Sequence, residues 1–278
     1  MERKLVISDI DGTLLNDKHQ LTKRTIQVVR QLTEENTIVV LASARPPKAM
    51  EEIAHQLKLE TPLVCFNGAL ITQNKAEKFD SLYSLSINYS EAILIEQLMR
   101  NHFPTIQVSV YSEEHWFVAK KDAWVHQEEA IAGISAEVVD LTEYLNGYHP
   151  IHKILCMGSE GDLQLACKKL EMSGIINVTA AFSKPNYLEI VNSQVSKLAS
   201  LQFLCHYYDI SLSNTVAIGD NYNDIPMIQH AGVGIAMGNA PQAVKEAAKF
   251  QTTSNSLEGF SKALENYFEL DTIDEKLY

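Results

Sequence analysis

Apolar and polar positions alternate in two rhythms along the first seventy residues. Leu5, Val6 and Ile7, followed by Ser8, form a short continuous apolar run that reads as a strand. Residues 22–35 carry Ile26, Val29 and Leu32 at helical spacing after Leu21, and Thr22 is placed to cap the first turn. Residues 37–42, Thr-Ile-Val-Val-Leu-Ala, are a continuous β-branched run, the pattern of a central parallel strand covered on both faces. Pro46 and Pro47 open a second helix at its permissive first turn, with Ile53, Ala54 and Leu57 on its inner side. Residues 62–66 give a third strand, ending at Asn67-Gly68. Strand, helix, strand, helix, strand predicts a parallel sheet with crossover helices.

The middle of the chain breaks this rhythm. A helix over residues 91–101 precedes two strands, 105–111 and 115–119, with Ser112-Glu113-Glu114 as their turn. A strand over 151–158 and a helix over 162–173, stopped by Gly174, precede a second strand pair, 176–182 and 187–191. Two rounds of helix and hairpin predict an α+β unit with an antiparallel sheet. The last third returns to the first pattern. Helices over 195–208, 225–231, 241–249 and 257–268 alternate with strands over 214–218 and 233–236 and a short one at 250–253. The charged tail, 271–278, is expected to fray. The fold class expected is α/β: a Rossmann-like parallel-sheet core in two pieces, 1–84 and 189–278, around an inserted α+β cap domain, 85–188.

Composition narrows the partners. With 46% hydrophobic and 21% charged residues, the 278-residue chain reads as globular rather than disordered. A net charge of -12 argues against nucleic acid and anionic membranes, whose phosphates it repels. No apolar run approaches the roughly 18 residues of a membrane span. Met1-Glu2-Arg3-Lys4 leads straight into a strand, unlike a secretory leader, so a cytoplasmic location is expected. Cys65, Cys156, Cys167 and Cys205 lack CxxC spacing and read as reduced, buried thiols. Monomer and homodimer both stay open.

The chemistry concentrates at strand ends. In open α/β sheets ligands bind beyond the carboxyl ends of the strands. Those positions hold Asp9 and Asp11, then Ser43 and Arg45, then Asn67 and Gly68, then Gly219-Asp220 with Asn223 and Asp224. Carboxylates at the end of a buried strand are tolerated only when a cation or several donors compensate them. Asp9, Asp11 and Asp220 converging with a hydroxyl and an amide describe a hard-cation site of the kind that takes Mg²⁺.

At this point the sequence resembles a known family. Asp9-Ile10-Asp11-Gly12-Thr13 resembles the first motif of the haloacid dehalogenase-like phosphohydrolases. Ala42-Ser43-Ala44-Arg45-Pro46 is similar to the second, where the family more often has Thr and Gly. Lys197 stands where the third-motif lysine belongs, although its neighbours Gln194 and Leu198 depart from the family's glycines and leave Lys184 as the alternative. Residues 219–224 and the run 231–240 resemble the fourth, and the inserted cap points to the Cof-type subfamily.

The resemblance implies a Mg²⁺-dependent phosphatase acting on small phosphorylated metabolites, such as sugar phosphates, flavin mononucleotide or pyridoxal phosphate. Asp9 is its implied nucleophile, Asp11 its general acid and base, and Ser43 and Lys197 its phosphate-binding residues. The Asp9 carboxylate, the Asp11 carbonyl and Asp220 are the implied metal ligands. Gly12, Arg45, Asn67, Gly68, Asn223 and Asp224 are implied as supporting or substrate-facing. Ala44 in place of Gly requires an ordinary backbone conformation there.

Structural roles compete for several of these residues: a helix cap for Ser43, an ion pair for Arg45, turn chemistry for Asn67, a capping carboxylate for Asp224. His149 and His152, without metal-ligand spacing, read as surface or cap-packing residues, and Trp116 and Trp124 as packing residues with contact from cap to substrate as the alternative. Two other functions share the motifs, a non-catalytic phosphometabolite-binding or regulatory protein and a phosphotransferase or phosphomutase.

Overall fold

A computed structural model describes residues 3–75 and 78–270; the expected fraying of 271–278 lies outside them. In chain order the elements are β1 (Leu5–Ser8), α1 (Lys23–Glu34), β2 (Ile38–Ala42), α2 (Lys48–Gln56), β3 (Leu63–Cys65), β4 (Leu70–Lys75), β5 (Lys78–Ser84) and α3 (Tyr89–His102). Then come β6 (Gln107–Ser112), β7 (His115–Val118), α4 (Ala123–Ala132), β8 (Glu137–Val138), α5 (Leu141–Asn146), β9 (Lys153–Met157), α6 (Glu160–Glu171), β10 (Val178–Lys184) and β11 (Tyr187–Asn192). The chain closes with α7 (Lys197–Tyr208), β12 (Thr215–Gly219), α8 (Ile225–His230), β13 (Val233–Ala236), α9 (Gln242–Ala247), β14 (Phe250–Gln251) and α10 (Gly259–Phe268).

The described residues divide into two compact units. The first gathers those of 1–43, 51–68 and 196–278. Its strands run in the order β14-β13-β12-β1-β2-β3, and every pairing among β1, β2, β3, β12, β13 and β14 is parallel. β1, β2 and β12 are buried along their whole length, as their apolar runs predict for strands covered on both faces. The chain moves from β1 to β2 and β3 on one side and from β12 to β13 and β14 on the other. The order therefore reverses between β1 and β12, the place where such sheets open a crevice for ligands. Register is tight there: Ser8 lies beside both Leu41 and Ile218. Thr22 caps α1 as expected, its hydroxyl accepting from Thr25 N at 3.1 Å.

The second unit holds 44–50 and 69–195, a wider segment than the 85–188 read from the sequence. Residues 70–75 and 78–84, which periodicity leaves unassigned, form the antiparallel strand pair β4–β5, and the Leu85 amide bonds to the Ala69 carbonyl. Its six-stranded sheet runs β10-β11-β9-β6-β7-β8, antiparallel except for β7–β8. One face packs on α3, α5 and α6 through Ile95, Met99, Leu145, Ile154, Leu163 and Leu188. Between 119 and 151 the sequence shows little periodicity, yet two helices form. Asp122 and Asp140 cap them by accepting from Val125 N and Glu143 N, and Gly133 ends the first in a left-handed turn.

Trp116 is buried and stacked on Tyr111 and Trp124 is half-buried, as packing residues should be, whereas His149 is exposed and stacks on Tyr144. Cys65, Cys156 and Cys205 are buried, Cys167 half-buried, and the four form no disulfide with one another. Among the described residues no helix is long and apolar enough to cross a membrane.

His152 is fully buried, accepts from Glu113 N at 3.0 Å through Nδ1, and meets Ser84 Oγ at 2.9 Å through Nε2. Burial pushes its pKa down from 6.5 to about 4. The unfolded chain therefore takes up a proton that the fold refuses. The stability from a neutral His152 is complete above about pH 6.5 and is lost as the pH falls towards 4. Urea unfolding at pH 7, 6 and 5 should show a decline in the wild type that is shallower in His152→Gln; identical slopes would refute the assignment.

Candidate active site

β1 delivers Asp9 to the point where the sheet order reverses. The Asp9 amide donates to Ile218 O at 3.0 Å, carrying the β1–β12 ladder one residue past the strand. A tight turn over residues 10–14 follows, closed by Leu15 N on Ile10 O at 3.0 Å. Within it Asp11 is extended (φ -83°, ψ 117°) and Gly12 is left-handed (φ 83°). Glycine is required at 12 twice over: for its φ, and because a Cβ there would lie 2.4 Å from Asp220 Oδ2.

The two motif carboxylates part company. Asp9 is buried, whereas the Asp11 side chain is 41% exposed, with Oδ1 3.3 Å from His19 Nδ1.

Lys197, the first residue of α7, has no exposed surface. An ammonium at a helix N-terminus opposes the helix dipole, and burial adds a desolvation cost. Two carboxylates offset both. Lys197 Nζ donates to Asp9 Oδ1 and, at 2.6 Å, to Asp224 Oδ1. The other Asp224 oxygen accepts from the amides of Asp220 and Asn221, each at 2.9 Å. Asp224 thus does two things: it anchors Lys197 and it shapes the turn that presents Asp220. Asp220 is held in turn by Thr13 Oγ1 at 2.8 Å and by Asn239 Nδ2 at 3.3 Å, which also donates to Gly12 O at 2.9 Å.

Charge balance explains the titration of the group. Burial raises the Asp9 pKa well above the ordinary carboxylate value; Lys197 opposes this, while Asp224 and Asp220 reinforce it. Burial also lifts Asp220 to about 6, against the hydrogen bond from Thr13. Desolvation pulls Lys197 down, but Asp224 and Asp9 outweigh it and hold the ammonium above its usual value. Ligand oxygens of Asp9, Asp220 and Asp224 lie within 4.8 Å of one another. Three carboxylates around one ammonium are an oxygen-rich set with surplus negative charge, which a hard divalent cation fits.

The remaining positions sort by distance from this centre. Ser43 is buried at the end of β2; its amide donates to Val64 O, and its carbonyl accepts from Asn67 N. Asn67 is left-handed (φ 58°) and accepts from Asn223 Nδ2 at 2.8 Å, so these two amides form a pair of their own. Gly68 lets the turn after β3 approach α7, since a Cβ would meet Ser200 Oγ at 2.4 Å. Arg45 belongs to the second unit and donates to Ala49 O at 3.3 Å. Ala44 has no positive φ, as its departure from glycine requires. Lys184 lies on β10, 4.4 Å from the centre of the Tyr187 ring, so the lysine that meets Asp9 is Lys197. Thr13 and Asn239 stand inside the motifs, yet motif reading assigned them no role.

A family profile described as haloacid dehalogenase-like hydrolase matches residues 6–264. The chain belongs to this family. It is a Cof-type phosphatase, a phosphoric monoester hydrolase. The phosphatase is 30% identical to a Haemophilus influenzae protein named as a phosphatase, over 96% of its own length and 99% of that protein's. It is 27% identical to a 5-amino-6-(5-phospho-D-ribitylamino)uracil phosphatase of Bacillus subtilis, over 97% of this chain and 100% of the relative. The crystal structure of a haloacid dehalogenase-like hydrolase from Bacteroides thetaiotaomicron superposes with a TM-score of 0.85 at 27% identity, covering 96% of this chain and 100% of that one.

Removing the ammonium leaves Asp9 and Asp224 facing each other unpaired. Lys197→Met should therefore lower unfolding stability by about 3–5 kcal/mol at pH 8. Part of that loss should return as the pH falls and the carboxylates take up protons, because groups with raised native pKa values stabilise the fold at low pH. Denaturant titrations at pH 8 and 5 check this; a loss that does not depend on pH would contradict it.

Proposed function

We propose that this phosphatase hydrolyses small phosphorylated metabolites, sugar phosphates or phosphorylated cofactors among them, by passing the phosphoryl group through Asp9. The observation that carries the reading is the buried Asp9 carboxylate held by Lys197, with Asp220 and Asp224 alongside.

Asp9 attacks phosphorus, and the bond to the leaving alcohol breaks as Asp11 gives that oxygen a proton. Asp11 then takes a proton from the water that cleaves the aspartyl-phosphate, releasing inorganic phosphate and restoring Asp9. The environments suit this division: Asp9 is fixed by Lys197, while Asp11 faces solvent and can exchange protons. Lys197 stabilises negative charge on the phosphoryl oxygens, the dominant form of catalysis in phosphoryl transfer. The Ser43 hydroxyl donates to one of those oxygens. Thr13, Asn239 and Asp224 hold Asp220 and Lys197 in place.

The metal ligands in this reading are the Asp9 carboxylate, the Asp11 carbonyl and Asp220, with Asp224 behind them, and Mg²⁺ is the cation proposed. When bound, it supplies positive charge that offsets repulsion between an anionic nucleophile and an anionic substrate. The second unit, with its antiparallel sheet, is proposed to be the cap that meets the leaving group. Its contacts would set the choice of substrate.

Purified protein with Mg²⁺ should release p-nitrophenol from p-nitrophenyl phosphate. Chelation should abolish this, and Asp9→Asn should lower kcat by about 10³-fold or more. Asp220 must be ionised to hold the cation, so the apparent Mg²⁺ affinity should weaken as the pH drops below about 6. Turnover surviving in Asp9→Asn, or Mg²⁺ affinity that is flat from pH 7 to 5, would overturn these assignments.

A further inference from the structure

The loop between β14 and α10, residues 252–258, holds none of the residues that motif reading singled out, yet it reaches two turns of the site. Its backbone is laid on the turn after β13. Thr252 N donates to Ala236 O, and Gly238 N to Thr253 O, each at 3.0 Å. The approach is so close that a Cβ at 238 would lie 2.6 Å from Ser254 N. The loop is also closed on itself, by Thr252 Oγ1 on Gly259 O at 2.7 Å and by Gly259 N on Ser254 O at 2.9 Å.

Asn255 lies half-buried within this loop and makes two bonds. Its backbone N–H donates to Asn239 Oδ1 at 3.1 Å, and its side-chain Nδ2 donates to Leu15 O at 3.0 Å. The first bond decides which way the Asn239 amide faces. A side-chain amide has an acceptor on one arm and donors on the other. With Oδ1 taken by an N–H, Nδ2 must face Gly12 O and Asp220 Oδ2, the two acceptors it meets. The flipped amide would set oxygen against oxygen on both sides. The second bond fixes where the Asn255 N–H stands. Leu15 closes the turn over residues 10–14 through its own amide, so its carbonyl is a firm anchor for the loop. A neutral amide also holds the Asp220 carboxylate without cancelling its charge, which a lysine there would do.

We propose that Asn255 is a positioning residue for Asp220 and acts through Asn239. Its tie to Leu15 keeps its N–H in line with Asn239 Oδ1, and the oriented Asn239 amide then aims the carboxylate. The proposal rests on the reading of Asp220 as a metal ligand. Hydrogen bonds that orient a ligating carboxylate in this way typically contribute tenfold or more to metal affinity.

Mg²⁺ titrated into the full chain by calorimetry, without substrate, tests it. Asn239→Ala and Asn255→Ala should each weaken Mg²⁺ binding about tenfold. The double variant should lose no more than Asn239→Ala alone, because both side chains reach Asp220 by one route. Turnover of p-nitrophenyl phosphate by Asn255→Ala should fall at limiting Mg²⁺ and recover at saturating Mg²⁺. Arg24→Gln breaks the paired hydrogen bonds to Glu265 that join α1 to α10, so it should lower stability and leave Mg²⁺ affinity unchanged. Wild-type affinity in Asn255→Ala, losses that multiply in the double variant, or an equal loss in Arg24→Gln would overturn the positioning role and leave Asp220 as a metal ligand. A wild-type chain that takes up no Mg²⁺ would overturn both.

Discussion

The contact of Lys197 with Asp9 and Asp224 is the constraint around which the first unit is arranged. An ammonium with no exposed surface is stable only if its carboxylates are already in place, and these come from distant parts of the chain. Asp9 is 188 residues before it and Asp224 is 27 after. For them to meet, β1 and β12 must lie side by side, α7 must begin over their carboxyl ends, and residues 69–195 must leave the first unit and return. A shift of one residue in the β1–β12 register would turn the side chains to the opposite face of the sheet and leave Lys197 buried with a partner missing.

The same contact makes the two motif aspartates chemically different. They are two residues apart and follow one strand, so sequence spacing treats them almost alike. Asp9 is buried against a cation and two further carboxylates. Asp11 is turned outwards, near His19, where solvent can serve it. Environment, not residue type, separates a group suited to attack phosphorus from one suited to carry protons. Asp224 shows a similar economy: one oxygen holds Lys197 and the other takes the amides of Asp220 and Asn221, while its side chain makes no cap on the helix that follows it.

Much of this was legible in the sequence where one physical requirement dominates locally. Continuous β-branched runs marked the strands buried on both faces, and Thr22 marked the start of α1. The acidic strand ends marked the site because unpaired carboxylates are costly there. Three kinds of feature were not legible. The helices at 123–132 and 141–146 have weak apolar stripes and rest on caps at Asp122 and Asp140. The β4–β5 strand pair has no short turn signal of the Asn-Gly type, so its strands were passed over. The support that Thr13 and Asn239 give Asp220 depends on side chains 207 and 19 residues away, which no local pattern encodes.

The central claim is that Asp9 carries the phosphoryl group covalently, and trapping that group tests it most directly. Enzyme mixed with substrate and Mg²⁺, acid-quenched within a turnover and reduced with borohydride, converts an aspartyl-phosphate to homoserine. Peptide mass spectrometry should find homoserine at position 9 and at no other aspartate. Phosphate release at a normal rate with homoserine absent, or present at Asp11, Asp220 or Asp224 instead, would contradict the account.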